Sequence, residues 1–255
     1  MTSAVDLIVA LPAHDERELI GECLASVLRS VRSAQRTGLV RQARVAVAAH
    51  RCGDDTADRA HAALTLRTGI HGLVHIETDA MSVGSVRTRL IEAAVAAEPA
   101  MSGGGVWIFN TDADTLVPAD WITATLRQAQ QQRADLVLGL VDLRDWAVDD
   151  ATRAAYERIV AEGLTSAGHR HAYAANLAVR LTAFQQVGGF PGLPHGEEHG
   201  LAAACRAAGL TVISPLSPRV QTSARMPGRA DQGLGALLAR LAAETAELEL
   251  DLKQA

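Results

Sequence analysis

Aromatic side chains are scarce in this sequence. Three Trp, three Phe and two Tyr make up 3% of its 255 residues, so the core must be built mostly from Ala, Val, Leu and Ile. Cysteine is scarcer still. Cys23, Cys52 and Cys205 are odd in number, scattered and without a C-x-x-C pair, which argues against a disulfide framework and for free thiols in a reducing compartment. No run of 18 apolar residues is present, the length that reads as a membrane-spanning helix. The opening "MTSAVDLIVALPAHDE" holds a short apolar run and no basic leader, so a cytoplasmic protein is expected. A basic surplus is also missing: the net charge is −5. That argues against a general nucleic-acid binder while leaving room for a local basic pocket that takes phosphate. No internal repeat, low-complexity tract or clear linker interrupts the chain, and its length suits one large domain.

What the sequence has is alternation. "VDLIVAL", "ARVAVAAH", "HGLVHIET", "GVWIFNT" and "ADLVLGLVDL" read as buried strands. Between them lie amphipathic helices, among them "ELIGECLASVLRSVRSA" with Ile20, Leu24 and Leu28 on one stripe. Asp54 or Asp55 is placed to cap the second helix, and Pro118 falls at a favourable first-turn position of the fourth. Strand–helix alternation with short connections predicts an α/β fold, a mostly parallel sheet with helices on both faces. Ligands of such sheets sit beyond the carboxyl ends of the strands, which here carry "PAHDE", "AAHRCGDD", "ETDAMSVGS" and "NTDADT". Beyond residue 144 the pattern predicts a helix over 144–163, then a short strand, a helix, a Gly/Pro loop, a further helix and a strand near "TVIS". A last helix of about 20 residues has Leu234, Leu238, Leu241, Leu248 and Leu252 at 3/4 spacing.

In "WIFNTDADTLVPADWI" two carboxylates, Asp112 and Asp114, follow a buried strand at once. Residues two apart share a face, and two carboxylates that close repel unless a cation or proton is shared. Their oxygens suit Mg²⁺ or Mn²⁺ rather than zinc, and such an ion commonly bridges to a diphosphate. Read alone, the triplet is as well explained by turn-forming and helix-capping Asp. Its surroundings change the weighting. In chain order, "VALPAHDERELIGECLASVL", "HRCGDDTADRA", "VGSVRTRLIEAA", "NTDADT", "ANLAVRLTAFQQVGGF" and "GEEHGL" resemble the successive motifs of the family 2 glycosyltransferases of GT-A fold, over roughly residues 4–230. Six weak motifs in one order make chance a poor explanation.

The resemblance implies a Rossmann-like sandwich, an inverting transfer from a nucleoside-diphosphate sugar to an acceptor hydroxyl, and a divalent Mg²⁺ or Mn²⁺. It divides the chain into a nucleotide-sugar half over 1–116, an acceptor half over 117–230 and a C-terminal helix over 231–255. Pro12, Ala13, His14 and Glu16 would frame base and ribose, Arg87 would meet base or diphosphate, Asp112 ribose or metal, and Asp114 metal and diphosphate. Glu197 and Glu198 match the family's acid pair, with Glu198 the base that takes the acceptor's proton. As first-turn helix acids they sit at the positive end of the helix dipole, which favours the ionised form. Two departures bear on the nucleotide. Where the family ends its second strand with an acid that reads base and ribose, this chain has Ala49 and His50, and its N-E pair is Asp15-Glu16. Uridine, guanosine and deoxythymidine diphosphates all stay open, as do the sugar and the acceptor.

Other residues have two readings. His171, in "GHRHAYAAN" with His169, is a pocket residue or an exposed turn. Arg225 and Arg229, in "SARMPGR", close over a diphosphate with planar guanidinium groups or form a solvated loop. The terminal Leu stripe packs on the domain or forms a homodimer seam, and its acids disfavour an anionic membrane surface. "HGEEH" offers a rival from another class, a zinc hydrolase using His195, Glu198 and His199. That pattern needs one continuous helix, which Pro194 and Gly196 oppose. A third reading is a nucleotide-sugar binder without catalysis.

Overall fold

The computed structural model describes residues 4–65, 69–79, 81–98, 101, 105–225 and 233–254, with side chains through 246. Its centre is a seven-stranded sheet. Strands β1 (Val5–Ala13), β2 (Val40–His50), β3 (His71–Glu77) and β4 (Val106–Asn110) are the first four elements of that sheet. After them come β5 (Thr115–Leu116), β6 (Leu136–Leu138), β7 (Leu140–Arg144), β8 (Leu164–Thr165), β9 (Gly168–His169), β10 (Leu177–Arg180), β11 (Val212–Ile213) and β12 (Arg219–Ser223). The order across the main sheet is β11-β6-β10-β4-β1-β2-β3. Every neighbouring pair is parallel except the two that β10 makes, antiparallel to β4 and to β6. The expected mostly parallel α/β architecture is what forms.

Helices α1 (Ile20–Arg36), α2 (Thr56–Thr65) and α4 (Trp121–Gln131) cover one face, and α3 (Val83–Ala96), α6 (Leu181–Gln186) and α7 (Glu197–Ala207) cover the other. The period of two along β1 sorts its side chains between them. Leu7, Val9 and Leu11 join one core with Leu24, Val27 and Trp121, while Ile8 and Ala10 join the other with Leu90, Ile91 and Leu201. With few aromatics available, the second face is lined by Ala10, Ala46 and Ala48, small enough for α3 to lie close. A third, smaller cluster joins α5 (Asp150–Glu162) to α8 (Leu234–Gln254) through Trp146, Tyr156, Leu238 and Leu241. Leu238 and Leu241 of the terminal stripe are therefore core residues; the side chains of Leu248 and Leu252 lie outside the described residues. No helix among the described residues is long and apolar enough to cross a membrane.

Three expectations are corrected. "ADLVLGLVDL" is not one strand. It breaks at Gly139 into β6, in the main sheet, and β7, in a second sheet of order β5-β12-β7. The helix expected over 144–163 starts at Asp150, because Asp149 caps it by accepting from Thr152 N at 2.7 Å. Pro118 is not in the first turn of α4 but precedes it, its carbonyl accepting from Trp121 N. At the break, Asn176 is the fastener. Its Oδ1 accepts from Trp121 Nε1 at 2.8 Å, and its Nδ2 donates to Leu140 O at 2.8 Å and Pro218 O at 3.0 Å. A Cβ on residue 139 would lie 2.2 Å from that amide nitrogen, so only glycine lets the chain pass.

Asn176→Leu would leave one buried N–H and two carbonyls without partners. Each such group costs about 1–3 kcal/mol, so urea unfolding is expected to show a loss of about 3 kcal/mol or more. A loss below about 0.5 kcal/mol, the range of ordinary surface changes, would mean that the fastener is dispensable.

Candidate active site

Strand β4 delivers the two carboxylates. Asn110 and Thr111 are fully buried, and Asp112 and Asp114 follow as the chain turns out of the sheet. Helix α1 holds this turn from beneath. Cys23 Sγ donates to Asp112 O at 3.3 Å, Ser26 Oγ accepts from Val117 N at 3.1 Å and Ser30 Oγ from Ile122 N at 3.2 Å. Burial, with Asp114 nearby, pushes the Cys23 thiol well up, so it stays a neutral donor.

The two acids have different surroundings. Asp112 takes a hydrogen bond and an ion pair from Arg87 Nη2. Asp114 is half-buried, and its Oδ1 accepts from Thr222 at 3.2 Å and Thr115 at 3.4 Å, hydroxyls that are 3.0 Å from each other. Among the described residues these hydroxyls are its hydrogen-bond donors. Burial first, then Asp112 and Glu16, pushes the Asp114 carboxyl up to about 6, while Thr222 and Arg225 act in the opposite direction. Glu16 itself is buried, and Arg225 forks onto it with Nη1···Oε2 3.1 Å and Nη2···Oε1 2.5 Å. A cavity of about 350 Å³ lies against this pair, lined by Asp15, Glu16, Arg17, Glu18, Asp54 and Arg225.

Arg87 leaves α3 and is almost wholly buried. Besides Asp112 it meets Glu197, Nε to Oε1 3.5 Å. Burial works against its proton, but Asp112 and Glu197 outweigh that and hold it firmly charged. Gly84 makes the approach feasible, since a Cβ there would lie 2.5 Å from Pro191 O and 2.9 Å from Glu197 Cβ. Helix α7 begins at Glu197, after Gly196 in the left-handed region at φ 74°. Glu198 follows, and its carboxyl is pushed up to about 7, by burial first and then by the charge of Glu197. The helix dipole was expected to keep this acid ionised; burial and a like charge outweigh it.

The remaining sequence-derived residues are placed as follows. Pro12, Ala13 and His14 end or follow β1, with Ala13 buried and His14 exposed. Ala49 is buried beside Ala13 in the β1–β2 ladder, which leaves His50 as the half-exposed side chain at the end of β2. His171 is stacked between His169 and Tyr173, at centroid distances of 6.0 and 5.8 Å, and its Nε2 is 2.9 Å from Val160 O. It is thus part of the packing under α5, not the exposed turn that was one of its two readings. Arg229 lies outside the described residues. The zinc reading fails on geometry: His195 precedes the left-handed Gly196 and is not on the helix that carries Glu198 and His199. Among the described residues the group of metal-type side chains that converges is Asp15, Cys52 and Asp54 instead.

Sequence reasoning missed Thr115 and Thr222 as partners of Asp114, and missed the Arg87–Glu197 contact. The threonines meet only because β5 and β12 pair across the second sheet, which no local signal announces. Asp112 and Asp114 fit a hard divalent cation. Both offer oxygen, and Asp114 is a half-buried carboxylate in an acidic cluster whose hydrogen bonds come from hydroxyls, with Arg225 acting on it only through its charge.

Removing Arg87 would leave Glu197 buried beside Asp112 without a counter-charge. Breaking a buried pair in this way costs about 3–5 kcal/mol. Arg87→Met is expected to lose stability on that scale in urea unfolding. Arg87→Lys is expected to recover only part of it, because a single ammonium cannot fork between two carboxylates. Full recovery by Lys would mean that charge alone matters.

No protein-family model matches the sequence, and no curated protein matches it. Solved structures do match. A mannosyltransferase, PcManGT from Pyrobaculum calidifontis in complex with GDP-Man and Mn²⁺, aligns with a TM-score of 0.67 at 17% identity, over 89% of this chain and 59% of its own. TarS 1–349 from S. aureus in complex with UDP-GlcNAc aligns at 0.63 and 13% identity, over 93% and 65%. The same fragment with UDP aligns at 0.61 and 14%, over 94% and 70%. This chain spans about three-fifths of the length of the first two. With these neighbours and with its own strand order, the chain adopts the GT-A glycosyltransferase fold.

Proposed function

We propose that this chain is a metal-dependent inverting glycosyltransferase, moving a sugar from a nucleoside-diphosphate donor to an acceptor hydroxyl. One observation carries the reading: one member of each of two acid pairs, Asp112 of Asp112/Asp114 and Glu197 of Glu197/Glu198, meets Arg87 from a different element. An inverting displacement needs two such groups. One set holds the leaving diphosphate, and a separate carboxylate takes the acceptor's proton. In this reading Asp112 and Asp114 hold Mg²⁺ or Mn²⁺, which supplies charge stabilisation to the leaving diphosphate. Glu198 accepts the proton as the acceptor oxygen bonds to the anomeric carbon and the bond from that carbon to the diphosphate oxygen breaks. Glu197 does not compete for this role, because it is engaged with Arg87 and buried. Arg225, forked on Glu16 beside Asp114, is in reach of the same charge cluster and would serve phosphate by exchanging partners. The neighbours' donors, GDP-Man and UDP-GlcNAc, are consistent with this class of substrate.

Metal dependence is tested by calorimetry. A nucleoside diphosphate is expected to bind measurably with Mn²⁺, and to lose that binding with EDTA or in Asp114→Asn. Unchanged affinity under both conditions would remove the cation from the scheme.

The base is tested by turnover. Glu198→Gln is expected to lose about 10²-fold or more, the low end for general base catalysis, while still binding donor and metal. The pH dependence follows from its environment. A base must be ionised, and Glu198 is pushed up to about 7, so kcat/KM should fall as pH drops below about 7. Glu197→Gln removes a like charge and frees Arg87, both of which favour ionised Glu198. The acid limb should therefore move to lower pH. A dead Glu197→Gln beside an active Glu198→Gln would move the role by one residue.

A further inference from the structure

Strand β3 closes one side of the main sheet, and its outer edge has no neighbouring strand among the described residues. Successive residues of a strand turn their backbone groups to opposite sides. Glu77 O accepts from Arg51 N at 2.8 Å, just past the end of β2, so Glu77, His75, Leu73 and His71 turn theirs to β2. Gly72, Val74 and Ile76 therefore present N–H and C=O groups outward. Sheet edges are commonly blunted by proline, lysine or a bulge. "HGLVHIE" contains neither proline nor lysine, and its pairing with β2 runs from His71 to Glu77 without a shift in register. Near its end Ile76 is 59% exposed, the most exposed large apolar side chain among the described residues. An open groove of about 540 Å³ runs beside this edge, lined from α3 by Arg89, Glu92, Ala93 and Ala96.

We propose that this edge is the seam of a homodimer, in which β3 pairs antiparallel with β3 of a second copy about a two-fold axis at Val74. The strand is self-complementary in that register. Val74 faces Val74, Gly72 faces Ile76, Leu73 faces His75 and His71 faces Glu77. The outward-facing residues then form the closely bonded pairs, which exchange both N–H···O bonds, so Gly72, Val74 and Ile76 of both copies use all their free backbone groups. A register shifted by two leaves Gly72 or Ile76 of each copy unpaired. The side chains agree with this pairing. Gly72 and Ile76 share a face of the strand, and a Cβ on residue 72 would lie 2.7 Å from Leu64 Cβ. Leu64 of α2 thus covers Gly72, and Ile76 of the second copy, directly opposite, is set against it and leaves water. The strand ends match in charge as well. His71 lies 3.8 Å from Glu98 and is 54% exposed, while Glu77 takes Arg89 at 3.0 Å. Antiparallel pairing brings the His71–Glu98 end of one copy to the Glu77–Arg89 end of the other, so imidazole meets carboxylate and no like-charged side chains stand directly opposite. A two-fold contact uses one patch twice, which is why a self-complementary strand fits a second copy of this chain.

The test is sedimentation velocity on the full chain over a dilution series, joined to hydrogen exchange read by mass spectrometry. The unaltered chain is expected to sediment as a dimer at micromolar concentration and to dissociate on dilution, with amide protection over residues 71–77 rising with concentration. Ile76→Lys puts a charge in the seam at a position exposed in the single chain. It is expected to weaken the dimer about tenfold or more in Kd and to abolish the concentration-dependent protection. A chain that stays monomeric at every concentration would overturn the proposal, whether its edge is left free or taken by an unrelated strand. A dimer without protection at 71–77 would overturn it too and move the seam elsewhere, to α8 for example, and that result comes from the unaltered chain alone. A dimer that Ile76→Lys leaves as tight would do the same. None of these measurements uses donor or metal, so their outcome leaves the glycosyltransferase reading untouched.

Discussion

A guanidinium with almost no access to water has to be neutralised where it lies, and Arg87 imposes that condition on the whole site. Its burial costs several kcal/mol in an effective protein interior. Asp112 and Glu197 offset that cost together, one from the end of β4 and one from the first turn of α7. The contact requires α3 to approach α7 closely, which is why Gly84 abuts Pro191 and Glu197. It also requires the turn after β4 to be held, which the buried Ser26 and Ser30 of α1 accomplish. Backbone approach, buried hydroxyls and one strong cation thus converge on a single junction. Asp112 and Glu197, and with them the turn after β4 and the start of α7, cannot move independently while that junction is intact.

The acid count explains how the members of the cluster differ. Asp112, Asp114, Glu16 and Glu197 are four carboxylates served by two arginines, Arg87 and Arg225. Asp112 and Glu197 share one guanidinium, and Glu16 has the other. Asp114 is left with hydroxyl donors, and burial first, then Asp112 and Glu16, push its carboxyl up to about 6. A divalent ion would supply the charge that this arrangement lacks. The proposal of a divalent ion therefore rests less on the D-x-D spelling than on which of the two acids lacks a hydrogen-bonded cation.

Much of this could be read from the chain. The strand-and-helix alternation over residues 5–143 is local, and so is the D-x-D at the end of an apolar run. The start of α7 at Glu197 is local too, because Pro194 and Gly196 cannot continue a helix and a pair of acids suits a first turn. What failed was set by distant partners. Gly139 divides one apolar run between two sheets because Asn176 occupies the space a side chain would need. The Glu16–Arg225 pair joins residues 209 positions apart, and Thr222 reaches Asp114 only through the β5–β12 ladder. His171 was legible as a residue of the second half, but its stacking on Tyr173 and its bond to Val160 O depend on where α5 docks.

The same distinction accounts for the end of β2. The sequence showed that His50 stands where an acid was expected, which removes a charge but does not by itself say what replaces it. An imidazole can present a donor or an acceptor, and only its partner decides which. That partner is the carbonyl of Asp79, on the loop after a different strand. Because β2 and β3 pair with His50 opposite Glu77, the Asp79 carbonyl is brought back to His50 Nε2, and Glu77 holds it there by accepting from Asp79 N at 3.0 Å. The carbonyl requires a hydrogen on Nε2 and so orients the ring at the end of β2. The orientation of the ring is then a property of the β2–β3 register as much as of the residue. A shift of one position in that ladder would turn the alternate residues to the opposite face and leave the ring without the carbonyl that orients it.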